Sequence, residues 1–133
     1  MGVVIRNSDG EVLRVGCQQA KQALEPSIVE AKAIVFGLQM AVQMYAKLIV
    51  LEGDCLKVIS KCKNKELDGT YLGVMIREIL ALANNFEAVS FEYVVREANG
   101  VAHAIAHITP LDYSTRVWVG GWVSSSDRRC CGV

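Results

Sequence analysis

The stretch Arg96–Ile108, REANGVAHAIAHI, decides how this chain is read. Its alanine-rich pattern predicts a helix over Ala98–Ile108, and it holds both histidines of the chain, His103 and His107. Residues at i and i+4 share one helix face, the spacing with which metalloprotease helices hold zinc. HAIAH lacks the glutamate that follows the first histidine in such helices, and no third ligand is evident nearby, so zinc is disfavoured. His107 then reads as an ordinary helix residue.

Working outward, VSFEYVV (Val89–Val95) alternates like a strand leading into that helix. Before it, Tyr71–Ala83 places Leu72, Met75, Ile76, Ile79 and Leu82 on one face of an amphipathic helix. A brief helix over Leu56–Cys62 ends in the basic run Lys61, Lys63 and Lys65, and KLIVLEGD (Lys47–Asp54) reads as a short buried strand with acids at its carboxyl end. Pro26 and Ser27 open a helix to about Tyr45, with Ile28, Ala31, Val35, Leu38 and Val42 at helical spacing. At the front, Gly2–Arg6 and Glu11–Cys17 flank the turn NSDG, which predicts a hairpin. The segment after Pro110 holds Trp118 and Trp122 and closes in SSSDRRCCGV, read as a partly frayed extension over 110–133.

Strands alternating with helices imply parallel pairing through right-handed crossovers, hence an α/β fold with a mixed sheet and helices covering its faces. In such sheets chemistry gathers at the carboxyl ends of the strands, where Glu52 and Asp54 stand. Composition fits one domain: 133 residues, 52% of them hydrophobic, suffice for a packed core. The 14 basic and 14 acidic residues cancel, so nucleic-acid contact must come from local patches. Five cysteines without a CxxC spacing suggest reduced thiols inside the cell, with Cys17, Cys55 and Cys62 packing as small apolar residues. The N-terminus lacks a signal-peptide pattern, and Glu30, Lys32, Gln39 and Gln43 interrupt the longest apolar-rich segment, which excludes a membrane span there. The expectation is an intracellular protein, nuclear or cytoplasmic.

Four spaced segments, GVVIRNSDGEVL, VEAKAIVFGLQMA, LIVLEGDCLKVI and VSFEYVVREANGVAHAIA, together resemble the type 1 ribonuclease H domain, closest to its plant retroelement-derived branch. The resemblance spans residues 2–109 and implies a ribonuclease H-like mixed sheet flanked by helices. It implies hydrolysis of the RNA strand of RNA–DNA hybrids by two Mg²⁺ or Mn²⁺ ions in a cage of four carboxylates. Hard divalent cations favour carboxylate oxygens, and the ions clamp the attacking water and the leaving oxygen. Glu30 matches the helix carboxylate of that cage and Asp54 the strand-end one. Each has a local alternative: SIVE is also a capping box for Glu30, and Asp54 is placed to cap the next helix. Glu52 lies two residues before Asp54, on the same side of an extended strand, as a neighbour of the site or a solvated acid.

The chain departs from the pattern twice. The family's first, central strand with its aspartate has no counterpart ahead of Gly2, and Asp9 in the hairpin turn cannot replace it. His103 stands where the last helix should carry its aspartate, and imidazole is a poor Mg²⁺ ligand. Glu30 and Asp54 alone leave two positive charges of a two-ion cluster uncompensated. The expectation is weak metal binding and impaired or absent cleavage. Lys57, Lys61, Arg96 and Asn99 are the candidate phosphate contacts for a hybrid or other duplex, against the alternative of a solvated charged face. Two readings follow, an enzyme domain in shortened form and a domesticated or decayed module that binds nucleic acid or partners without catalysis. The missing strand also predicts an unpaired sheet edge and self-association through it.

Overall fold

The structure is a computed structural model that describes residues 1–19, 24–100, 115–119 and 128–132. Strands β1 (Gly2–Asn7) and β2 (Val12–Gln18) form the expected hairpin, antiparallel with Val4 opposite Val15. Asn7 organises its turn. The Asn7 side-chain oxygen accepts from the backbone N–H of Asp9 at 3.0 Å and of Glu11 at 2.9 Å, and its amide donates to Glu11 Oε2 at 2.9 Å. Gly10 closes the turn at φ +83°, a backbone conformation that glycine adopts without steric cost.

Helix α1 (Pro26–Gln43) begins with its proline in the first turn, where the missing N–H costs nothing. Glu25, not Ser27, is the N-cap residue, and no side chain caps the helix. The capping-box reading of Ser27 and Glu30 is therefore corrected. With Pro26 starting the helix, Ser27 lies buried inside the first turn and Glu30 is free to reach another element. Strand β3 (Leu48–Gly53) follows, then α2 (Leu56–Asn64), α3 (Tyr71–Ala83) and β4 (Ala88–Tyr93), which pairs in parallel with β3. Cys55 is the N-cap residue of α2, so Asp54 is not its cap either. At the start of α3, Thr70 Oγ1 accepts from the N–H of Gly73 at 3.0 Å. A single 3₁₀ turn, Arg96–Asn99, stands where the last helix was expected to open, and the remainder of that helix lies outside the described residues.

The carboxyl-terminal segment overturns one expectation. Strands β5 (Thr115–Val119) and β6 (Arg128–Gly132) belong to the sheet, whose order is β4-β3-β6-β1-β2-β5. The stretch read as a partly frayed extension therefore supplies two of the six strands among the described residues. β6 runs parallel to β3 and antiparallel to β1, and so takes a central position in the sheet. Backbone donors and acceptors along a core strand must be paired, and β6 pairs them on both sides. The reason for expecting self-association through that edge falls away.

Val3, Ile5, Ile49, Leu51 and Phe91 share one core with the inward faces of α1, α2 and α3. The described helices thus pack against one face of the sheet, while Val4, Cys17 and Val15 form a smaller cluster on the other. Cys17 and Cys62 are buried as the composition suggested, and burial pushes the Cys62 thiol up to about 12. Among the described residues no helix is long and apolar enough to cross a membrane.

Candidate functional site

The carboxyl end of β3 brings together two of the sequence's candidate residues. Asp54 follows the last strand residue, Gly53, and its side chain is only 10% exposed. Glu30 reaches the same point from α1, where the backbone N–H groups of Asp54 and Cys55 bond its carboxylate. Its Oε1 is buried without a hydrogen-bond partner. Gly53 makes this approach possible, because a Cβ there would lie 2.7 Å from Glu30 Oε1 and 3.1 Å from Ile59 Cδ1. Gly53 is a further functional position whose signal is a glycine between two acids at a strand end, which marks a close approach.

Burial first, and then the negative charge of Asp54, pushes the Glu30 carboxyl up to about 7. The backbone N–H groups and the guanidinium of Arg96 oppose the shift without cancelling it. Arg96 Nε lies 3.5 Å from Asp54 Oδ2, yet the Arg96 side chain is 77% exposed, and such half-solvated pairs contribute about 0.2–1 kcal/mol. Two crowded carboxylates with one orphaned oxygen are a donor set that suits a hard divalent cation. Two carboxylates fit one such ion better than two ions, and no group of three or more metal-binding side chains occurs among the described residues.

The neighbouring candidates divide. Glu52 is not part of the pair; it faces Arg6 Nη2 at 3.4 Å. β6 occupies the position next to β3, but Arg128–Gly132 contains no acid, so the strand returns without a carboxylate in those five residues. His103, the fourth cage position by resemblance, and His107 lie outside the described residues. Lys57 is exposed on the first turn of α2 and makes no ion pair among the described residues, whereas Lys61 is engaged by Asp68 at 3.2 Å and Glu66 at 3.6 Å. Hydrogen bonds from Thr70 and Lys61 hold the Asp68 carboxyl down at about 2, so this cluster is ionised and internally balanced at neutral pH. Asn99 is buried, its Oδ1 3.3 Å from where a Cβ on Gly132 would stand.

Residues 1–109 match the sequence model of a family described as reverse transcriptase-like. The chain belongs to that family. Among solved structures, an RNase H1 from the halophilic archaeon Halobacterium salinarum NRC-1 is similar at TM-score 0.73 and 23% identity, with 80% of each chain covered. The N-terminal RNase H domain of a Mycobacterium tuberculosis protein, solved as a fusion with maltose-binding protein, is similar at TM-score 0.69 and 23% identity, covering 80% of this chain and 78% of that one. A search of curated proteins found no match. This member of the reverse transcriptase-like family therefore has a ribonuclease H-like fold, with Glu30 and Asp54 adjacent at the end of β3.

Proposed function

We propose that this chain is a nucleic-acid-binding ribonuclease H-like domain, of retroelement-derived type, that takes RNA–DNA hybrids or other duplexes and cleaves them poorly or not at all. The observation that carries the reading is the Glu30–Asp54 pair with its unpartnered buried oxygen. Glu30 and Asp54 would hold Mg²⁺ or Mn²⁺; a bound divalent ion supplies an activated water and charge stabilisation at the leaving oxygen. Burial, and after it the charge of Asp54, keeps Glu30 partly protonated near neutral pH, so metal binding must displace a proton and weakens as the pH falls. Arg96, 3.5 Å from Asp54, and Lys57, on the first turn of α2, are exposed cations and serve as phosphate contacts. Lys61 is a poorer contact because two acids already hold it. The absence of an acid from Arg128–Gly132 supports impaired cleavage over full activity.

A labelled RNA–DNA hybrid tests this reading. Binding is expected to weaken steeply with added salt, with little cleavage in Mg²⁺ or Mn²⁺, and Mn²⁺ is expected to raise the melting temperature of the wild-type chain but not of Glu30→Gln. Robust cleavage that Glu30→Gln abolishes would overturn the impairment. Failure to bind hybrid at low salt would overturn the nucleic-acid reading itself.

A further inference from the structure

The parallel strands have two ends, and Glu30 and Asp54 use only one of them. At the other, where β4 begins, the carboxyl ends of α2 and α3 and the strand enclose a cavity of about 660 Å³. That volume lies inside the roughly 300–1,000 Å³ of small-molecule sites. Its floor is apolar, formed by Leu80, Phe86, Val89 and Phe91 with buried Cys62, whose thiol burial keeps protonated and uncharged. Its rim is cationic. Lys63, Lys65 and Arg77 are exposed and make no ion pair with any described residue, and Glu87, the one acid of the lining, already lies 4.0 Å from Lys47. Three cations against one acid leave a local excess of positive charge in a chain whose formal net charge is zero. Lysines at a helix end commonly offset the partial negative charge of its last carbonyls. Here backbone groups already cap α2, with the N–H of Lys65 donating to the Cys62 carbonyl at 3.4 Å and that of Glu66 to the Lys61 carbonyl at 3.0 Å. Lys65 makes this turn at φ +52°, a left-handed conformation for which glycine is the usual residue. The chain thus keeps a cation on the rim where local stability favours glycine.

We propose that this cavity binds a small amphipathic anion, a single carboxylate on an aliphatic chain, with Lys63, Lys65 and Arg77 holding the head and the apolar floor taking the chain. Both halves of the ligand follow from the lining. Covering the floor removes apolar surface from water, and the carboxylate gives the three cations the charged acceptor they lack. A nucleic-acid strand fits less well. Phe86 and Phe91 are only 8% and 7% exposed, so their rings present no face on which a base stacks. The cavity lies at the opposite end of the parallel strands from Glu30 and Asp54, so the inference is independent of the nuclease reading.

Isothermal titration calorimetry of the full chain with decanoate, below its micelle concentration, tests the site. Decanoate is expected to bind, while acetate, which lacks the chain, and decyltrimethylammonium, which reverses the charge, bind at least about tenfold more weakly. Lys65→Gly is expected to weaken decanoate binding about threefold to fivefold, in the range of a partly exposed ion pair, while raising the urea midpoint because glycine relieves the left-handed turn. Arg77→Gln should weaken it by a similar factor, and the double variant by about tenfold or more. Unchanged affinity in the double variant overturns the proposal, as does equal binding of decanoate and decyltrimethylammonium or no binding of decanoate at all. Displacement of decanoate by a short DNA duplex also overturns it, because the rim would then be a phosphate contact.

Discussion

Glu30 is the residue at which folding and chemistry pull in opposite directions. Its carboxyl is raised from 4.5 to about 7, so the buried site favours the protonated acid. The stability this group contributes is complete below the ordinary value, and it is lost as the pH rises through about 7. A shift of that size corresponds to about 3 kcal/mol. In metal-free buffer the urea midpoint of the wild-type chain should therefore fall between about pH 5 and pH 8 relative to Glu30→Gln, which has no charge to bury. Parallel pH profiles for the two chains would refute the assignment. Gly53 is the companion prediction. Gly53→Ala forces a Cβ to 2.7 Å from Glu30 Oε1 and should cost about 1–3 kcal/mol by overpacking. Combining it with Glu30→Ala should recover part of that loss, a coupling that a double-mutant cycle in urea measures.

At the scale of elements, the starts of α1 and α3 are built differently. α1 has its proline and no side-chain cap, which leaves Glu30 available to β3. α3 is capped by Thr70, with Asp68 bonding both the hydroxyl and the backbone N–H of Thr70. Thr70→Ala should cost about 1 kcal/mol in thermal or urea unfolding, and a loss near zero would show that the cap carries no weight. These elements were largely legible beforehand. The spacing over Tyr71–Ala83 predicts α3 with the bounds observed, and Val89–Val95 marks β4 within a residue or two of Ala88–Tyr93. The capping box at Ser27–Glu30 was not a safe reading, because a local S-x-x-E pattern is outweighed when the glutamate finds backbone donors on another element.

For the whole molecule, the decisive fact is the sheet order β4-β3-β6-β1-β2-β5. A chain stopped after Asp127 lacks the strand that bridges β1 and β3, leaving both with open ladders inside the fold. Its denaturant unfolding should shift to a lower midpoint and lose cooperativity, and a transition matching the full chain would show that β6 carries no stability. The sequence by itself determined the hairpin, the crossover helices, the ribonuclease H-like class and the candidate pair Glu30 and Asp54, because each rests on local periodicity, turn chemistry or ordered motifs. Only the tertiary structure decided that Glu30 turns from capping α1 to face Asp54, that Asn99 is buried and Lys61 already engaged, and that Arg128–Gly132 takes a central position in the sheet. RRCCG carries no strand signal of its own, and its place comes from unpaired backbone on β1 and β3, which is a long-range demand that no local pattern encodes.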